Sequence, residues 1–432
     1  MAKGKKTQED TAEYKPISNN EKLKKMFDLF KKQDENYAAF KIQKKNIHCV
    51  NTGSPNVNDA IGIGGFPGGR ISQVYGPMGS GKSFLCMIAA KNAIEANPNA
   101  IVVWFDAERS FNYFWAEKLG IWSNDPEKNH LVIIKATNGV EIFERMYGKI
   151  RKDKFASKKI EPGILDLVMS GDIECPLIVI DSIASIITPK EQAAPVGSVT
   201  VSALAGFLTA ELRRMSEDLE KSGVALVLIN QVRQSMEEWG DTYHHPGGES
   251  LRHSLSVNLY IERQERMDAL ILTNEKDKNT LIGQKVKVVV KKSRFGPAPR
   301  ACETTFLFAP GCGYDQIGIV DADLEILSLA VKYGIVAKGG AGWYTLPNGK
   351  KMQGDKAVQE EFKNDPSLLE SITKQLYSKG NGILNADGSF TIEENFDSNN
   401  ISAKIDKMSS DSTKEDLEND FGNCYGMSSL ED

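Results

Sequence analysis

The octapeptide Gly76-Pro77-Met78-Gly79-Ser80-Gly81-Lys82-Ser83 restricts this chain more than any other stretch. It has the spacing G-x-x-x-x-G-K-[ST], follows the apolar run Ile71–Tyr75, and opens a helical pattern over Ser83–Asn97. A strand, a glycine-rich turn and a helix in that order make a phosphate-binding loop. The glycines let the backbone curl until successive N–H groups point inward at anionic oxygens. The helix N-terminus adds partial positive charge at the same place. Lys82 then reaches the outer phosphates of a nucleoside triphosphate, and the Ser83 hydroxyl ligates Mg2+.

A triphosphate site also needs a carboxylate on the metal side, at the end of a neighbouring strand. Pro176-Leu-Ile-Val-Ile-Asp181-Ser182 supplies one: four apolar residues, then Asp181. Hydrolysis further needs a base or a water-positioning group. Ile101-Val-Val-Trp-Phe-Asp106-Ala-Glu108 ends another strand in two acids. One of them, preferably Glu108, is suited to polarise the attacking water; the alternative is that both cap the helix that follows.

The wider pattern supports an α/β fold. Strand-like runs fall at Ile71–Tyr75, Ile101–Phe105, Leu131–Ile134, Leu177–Ile180, Val224–Ile229, Val257–Ile261 and Val286–Val290. Helical patterns lie between several of them, at Ser83–Asn97, Val140–Lys152 and Val201–Lys221. Near-continuous apolar strands alternating with helices imply a mostly parallel sheet covered on both faces. The later strands, with no helices between them, extend that sheet as antiparallel partners.

The expected organisation is an N-terminal segment (1–45), an ATPase core (46–310), a small α/β C-terminal domain (311–380) and a flexible acidic tail (381–432). Helices are expected at Ala322–Tyr333 and Asp355–Leu376. Leu23, Met26, Phe27 and Phe30 recur at i, i+3, i+4, i+7, one helix face that must dock on its own core or on a neighbouring subunit. Residues 1–45 hold 12 Lys against 7 acids, and residues 409–432 hold 7 acids against one Lys. A basic head and an acidic tail suit a polyanion partner and a tail that competes with it, or simply two solvated ends. No apolar run reaches the ~20 residues of a membrane span, and the N-terminus lacks a signal-peptide core, so a cytoplasmic protein is expected. The six cysteines are scattered without a CxxC pair, which points to free thiols in a reducing compartment.

Taken together, these motifs resemble the RecA family of recombinases. The resemblance covers about residues 20 to 380. Asn51 to Arg70 is similar to the family segment leading into its P-loop. Phe105-Asp-Ala-Glu108 with Trp115-Ala-Glu-Lys-Leu-Gly-Ile121 is similar to its catalytic-glutamate strand and the helix beyond. Ile180 to Lys190 matches its Walker B strand, and Asn230-Gln231-Val-Arg233 the strand end that begins its second DNA loop. Gly342-Trp343-Tyr344 and Lys351–Lys356 echo its C-terminal domain. The size, the Lys292-Ser293-Arg294 triplet and the acidic tail most resemble the phage UvsX-type branch.

The resemblance implies roles at matching positions. Lys82, Ser83 and Asp181 would hold phosphate and Mg2+, Glu108 would be the general base, and Trp115 would stack on adenine. Gln231 would sense the γ-phosphate and report it to the loop that follows. Lys292 and Arg294 would reach the γ-phosphate of a neighbouring subunit's ATP; the alternative for that pair is plain surface charge. Two loops, 193–201 and 232–248, would face DNA, with Arg233, Trp239, Gly247, Gly248 and Arg252 supplying cationic, aromatic and backbone groups for phosphates and base faces. Arg213 matches a DNA-contacting arginine of the family. Gly206 and Val201 depart from the bacterial pattern, and Glu237, Glu238 and Asp241 are unhelpful near phosphates.

The adjacent His244 and His245 suggest a metal site at first sight. They lack an HxxxH or HExxH spacing, and loop polarity is the preferred reading. The function expected is therefore an ATP-dependent DNA strand-exchange recombinase, hydrolysing ATP to ADP and phosphate, in a helical filament on single-stranded DNA that pairs with duplex. A loading mediator and a single-strand binding protein are the implied partners. The alternatives are a hexameric helicase on the same core, or a RecA-like mediator.

Overall fold

The computed structural model describes residues 45 to 392, apart from 126–127, 153–156, 196–197, 199–201, 235–242, 245–247, 265–268, 273–279, 297, 299, 313, 380–382 and 385–388. The apolar stripe at Leu23–Phe30 and the acidic end at 409–432 lie outside the described residues, as do Val201, Glu237, Glu238, Trp239, Asp241, His245 and Gly247.

The chain begins with β1 (Lys45–Val50), α1 (Pro55–Ile61), β2 (Phe66–Pro67), β3 (Ile71–Gly76), α2 (Lys82–Ala96) and β4 (Val102–Asp106). It continues through α3 (Tyr113–Lys118), β5 (Leu131–Ile134), α4 (Gly139–Tyr147), β6 (Lys149–Lys152), β7 (Ser157–Glu161), α5 (Ile164–Ser170) and β8 (Leu177–Asp181). Next come α6 (Pro189–Gln192), α7 (Ala203–Ser222), β9 (Ala225–Gln231), β10 (Arg233–Gln234), β11 (Tyr243–His244), α8 (Gly248–Ser254) and β12 (Val257–Arg263). The core closes with β13 (Leu270–Leu272), β14 (Leu281–Ser293), β15 (Arg300–Leu307) and β16 (Gly318–Ile319).

Ten of these strands build one sheet in the order β16-β15-β14-β12-β3-β9-β8-β4-β5, with β13 on β14. From β12 to β5 every neighbouring pair is parallel. From β12 to β16 every pair is antiparallel, as expected for strands joined without helices. Every residue of β4 and β8 is buried, which is why those strands are continuous apolar runs in the sequence. One face packs under α2 through Phe84, Leu85 and Ile88. The other packs under α4 and α7 through Ile142, Phe143, Leu208 and Leu212.

The C-terminal part has its own core, formed by α9 (Ala322–Lys332), β17 (Ala337–Lys338), β18 (Trp343–Thr345), β19 (Lys351–Gln353), α10 (Asp355–Asn364) and α11 (Pro366–Lys379). Glu325 of α9 ties it to the part built on the large sheet by accepting from Ser54 Oγ (2.6 Å), Asn56 N–H (3.0 Å) and Thr304 Oγ1 (2.7 Å).

Three expectations change. The helix expected over Val140–Lys152 stops at Tyr147, because Gly148 leaves the helical region at φ 91° and Lys149–Lys152 pairs as a strand. The helix expected over Asp355–Leu376 breaks in two at Pro366, which cannot supply the N–H of a continuing helix. Asp365 instead accepts from Leu368 N–H at 3.1 Å and starts the second helix. The stretch expected to open the tail carries β20 (Ile383–Leu384) and β21 (Ser389–Ile392), and β21 pairs antiparallel with β1. Among the described residues no helix is long and apolar enough to cross a membrane, and Cys49, Cys86, Cys175, Cys302 and Cys312 are free thiols.

Candidate functional site: a phosphate-binding loop coupled to a strand end

The loop between β3 and α2 is shaped by close approaches that only glycine allows. Gly76 has φ 158°, and a Cβ there would stand 2.1 Å from the Ile261 carbonyl oxygen. Gly81 has φ 89°, and its Cβ would fall 2.5 Å from the Phe306 ring. The fourth residue of the turn is held from outside: Gln284 on β14 donates its amide to the Gly79 carbonyl at 3.1 Å. Gln284 is buried. Sequence reasoning started β14 five residues too late and missed it. Its signal was a polar amide at a core-facing position of an alternating strand.

Inside the loop, Lys82 is buried (8% exposed) and donates to the Pro77 carbonyl at 2.7 Å. Burial pulls the Lys82 ammonium below its usual range, while the charges of Asp181 and Glu108 oppose that pull. Ser83 donates its hydroxyl to Asp181 at 2.7 Å. Asp181 is pushed up to about 6, by burial first, with Glu108 and Asp106 adding to it and the Ser83 bond and Lys82 resisting. The Ser80 hydroxyl is buried without a hydrogen-bond partner. A buried orphan hydroxyl, a buried ammonium held only by a backbone carbonyl, and a hydroxyl–carboxylate pair fit a phosphate chain with a divalent cation.

The structure separates the two acids at the end of β4. Asp106 is buried and accepts from the N–H groups of Ser110 (3.0 Å) and Phe111 (3.3 Å), so it shapes the turn. The N–H groups of Ala107 and Glu108 donate to the Asp181 carbonyl at 2.7 and 3.1 Å, fixing this turn to the end of β8. The Glu108 carboxylate is left exposed and accepts from Gln231 Nε2 at 2.9 Å. Parallel pairing of β3 with β9 sets Gln231 opposite Gly76, the first residue of the phosphate loop. A strand end that enters the 232–248 loop is thus bonded to the acid beside the phosphate site.

Other expected residues lie elsewhere. Trp115 stands beside the first turn of α2, edge-on to Phe84 at 5.0 Å, and one ring face is stacked on Phe308 at 5.4 Å. Lys292 donates to the carbonyls of Arg252 (2.6 Å) and His253 (3.4 Å), and Arg294 to His253 (3.2 Å). Both cations therefore sit on the C-terminal end of α8, the favourable end for positive charge. Pairing sets Lys292 opposite Asn258, which is opposite Gln73. That is three residues back from Gly76 and two strands away, so Lys292 is not gathered at its own subunit's phosphate loop. Arg213 is exposed on α7, and its neighbour Arg214 is bonded to Glu211 and the Tyr147 hydroxyl. Arg233 and His244 are opposite each other in the β10–β11 pair, Gly248 opens α8, and Arg252 is half-buried on it.

Comparison with known proteins agrees with this geometry. The family model for the RecA N-terminal domain matches residues 22–152 and 159–313. Protein RecA of Cytophaga hutchinsonii is 29% identical over 371 residues, covering 84% of this chain and 92% of that protein. Protein RecA of Bacteroides thetaiotaomicron is 28% identical, over 82% of this chain and 97% of its own length. Protein RecA of Leptospira biflexa is 30% identical, over 76% of this chain and 74% of its own length. A phosphate loop on a mostly parallel sheet, a strand-end glutamine bonded to a strand-end glutamate, and a family model spanning most of the core lead to one conclusion: the chain belongs to the RecA family.

Proposed function

We propose that this protein is an ATP-dependent DNA strand-exchange recombinase, active as a helical filament on single-stranded DNA and pairing it with homologous duplex in recombination and repair. The observation that carries the reading is the Gln231–Glu108 bond of 2.9 Å, formed where β9 runs beside the phosphate loop. Glu108 is the group that orients and deprotonates the attacking water; ATP is cleaved to ADP and phosphate. Mg2+, held by Ser83 and Asp181, would neutralise charge on the phosphate oxygens. Lys82 exchanges the Pro77 carbonyl for a phosphate oxygen, and the loop N–H groups take the remaining charge. Trp115, half-buried beside α2, offers its remaining surface to adenine.

Gln231 changes partner between Glu108 and the γ-phosphate, and the 232–248 loop follows it. Arg233, Trp239, Gly247, Gly248, Arg252 and Arg213 are the DNA-facing set. Lys292 and Arg294, held on the end of the helix that follows that loop, complete the phosphate site of a neighbouring subunit. The size, the Lys292-Ser293-Arg294 triplet and the acidic tail support a reading of the chain as most like the phage UvsX-type branch. The test is strand exchange between a single-stranded circle and homologous linear duplex. Joint molecules are expected with ATP and none with ADP. Exchange that is equally good with ADP, or absent with ATP, overturns the reading.

The site also sets a pH dependence. Asp181 moves from an ordinary 3.8 to about 6 when buried without a cation. A cation needs the ionised carboxylate, so binding must displace a proton at low pH. Affinity for Mg2+-ATP should be flat above pH ~7 and fall by up to about tenfold per unit below ~6. For folding without ligand the sign is opposite. The native state holds the Asp181 proton between 3.8 and about 6 while the unfolded state has lost it, so this group's contribution to stability declines as pH rises through that window. Fluorescent-nucleotide titration from pH 5 to 8 checks the first statement. Asp181→Asn should bind weakly and without the pH step; a step that persists in that variant assigns the titration to another group.

A further inference from the structure

We propose that Asn258, braced by Gln73, is a positioning residue for Lys292. Its amide takes over the helix carbonyls that Lys292 now holds, and so frees Lys292 to reach the neighbouring subunit's phosphate. The inference rests on the filament reading above, in which Lys292 acts on another subunit's ATP.

Lys292, Asn258, Gln73 and Leu228 stand in one row across β14, β12, β3 and β9. Register partners on adjacent strands share a face and lie ~4.8 Å apart. Leu228 shows which face this is, because it belongs to the same core as Leu251 of α8 and Leu255 just beyond that helix. The surroundings are apolar, yet two of the four positions in the row are amides. Gln73 is 0% exposed and Asn258 4%. Neither polar atom of the Gln73 side chain has a hydrogen-bond partner, and nor does Asn258 Oδ1, so the two amides are not bonded even to each other. Buried amides left unbonded are costly, and apolar side chains of similar size would fill the space without that cost. A pair of them beside Lys292 points to a second arrangement in which they are bonded.

The second arrangement follows from what holds Lys292. Its ammonium donates to the carbonyls of Arg252 (2.6 Å) and His253 (3.4 Å) in the last turn of α8, and Arg294 adds a bond to His253 at 3.2 Å. Burial first, then the charge of Arg294, pulls the Lys292 ammonium below its usual range. A phosphate is a stronger partner for such a cation than two neutral carbonyls. The carbonyls cannot follow it outward. Leu251 and Leu255 are fully buried. Ser256 N–H donates to the Ile71 carbonyl at 2.8 Å, and the Ser256 carbonyl accepts from Arg294 N–H at 3.0 Å. The last carbonyls of a helix have no partner inside it, so departure of Lys292 leaves acceptors without donors. Asn258 is the next side chain along the row. Its Nδ2 donates to the freed carbonyl, and its Oδ1 accepts from Gln73 Nε2. One exchange satisfies the end of α8 and both amides together. A lone asparagine would leave its oxygen unbonded, which is the use of the second amide.

The experiment measures kcat and KM for ATP hydrolysis by the full chain on oligo-dT, beside thermal unfolding. Asn258→Leu should lower kcat by about 5–150-fold, the factor by which one orphaned buried acceptor disfavours a state. KM for ATP and the unfolding temperature should hold. Asn258→Asp, whose charge keeps Lys292 at home, should lose at least as much. Exchanging the two amides, Gln73→Asn with Asn258→Gln, conserves volume and donors and should keep most of the activity. Gln73→Leu should lose less than Asn258→Leu, and the double leucine variant no more than Asn258→Leu alone, because the pair acts as a unit. Wild-type kcat in Asn258→Leu overturns the proposal. So does a fall in kcat matched by a rise in KM and a lower unfolding temperature, which is a packing defect. Lys292→Ala is the control. If it hydrolyses ATP as fast as wild type, the role of Lys292 between subunits fails, an outcome distinct from a slow Lys292→Ala beside an unaffected Asn258→Leu.

Discussion

Glu108→Gln should lower DNA-stimulated ATP hydrolysis by about 10²–10⁴-fold, the usual contribution of a positioned general base, while ATP-dependent DNA binding persists. The two carboxylates at the end of β4 have different surroundings. Asp106 is buried and committed to two backbone N–H groups. Glu108 is exposed and bonded through one oxygen to Gln231. An amide at 108 keeps an acceptor for the Gln231 side chain but cannot take a proton from water. Chemistry is therefore lost and communication kept, so filaments of the variant should assemble with ATP and fail to turn over. Phosphate release on circular single-stranded DNA, followed beside filament assembly, checks both halves. A loss smaller than about tenfold moves the base elsewhere.

Gln231→Ala should have the complementary effect. Nucleotide still binds, because Lys82, Ser83 and the loop N–H groups are untouched. The stimulation of hydrolysis by DNA should fall to near its DNA-free level. Coupling energies between two ligand sites are typically about 1–3 kcal/mol, or roughly 5–150-fold, and a single hydrogen-bonded relay at the strand end would carry most of it. Gln231→Glu should be worse than Ala, since it sets a second carboxylate against Glu108 and against the γ-phosphate.

Much of this arrangement was legible in the sequence, and the parts that were not share a cause. The phosphate loop, Asp181 and the strand ends at Glu108 and Gln231 are local: each is a short apolar run followed by a polar residue, and parallel pairing brings such ends together. Gln284 was hidden because its partner, Gly79, lies 205 residues away and its strand is longer than its apolar centre. Glu108 is preferred over Asp106 in the sequence, but the alternative that both cap the next helix stays open, because the division depends on which backbone N–H groups curl back onto Asp106. Trp115 is expected to stack on adenine; what sequence could not show is that Phe308, nearly two hundred residues on, stacks against one of its faces. Lys292 and Arg294 are expected at a neighbouring subunit's γ-phosphate, or as surface charge; that they rest on carbonyls of α8 was not legible, because those carbonyls lie about forty residues away. Helix ends failed where one residue decides them, at Gly148 and Pro366. β21 was missed because a polar stretch becomes a strand only when the open edge of β1 is there to receive it.

In the function proposed here, the state of the nucleotide passes through Gln231 to the DNA-facing loop. The most direct measurement is the ratio of single-stranded DNA affinities with a non-hydrolysable ATP analogue and with ADP, in wild type and in Gln231→Ala at one salt concentration. Wild type should show a ratio of roughly 5–150, and Gln231→Ala a ratio near one. An undiminished ratio in the variant would contradict this relay.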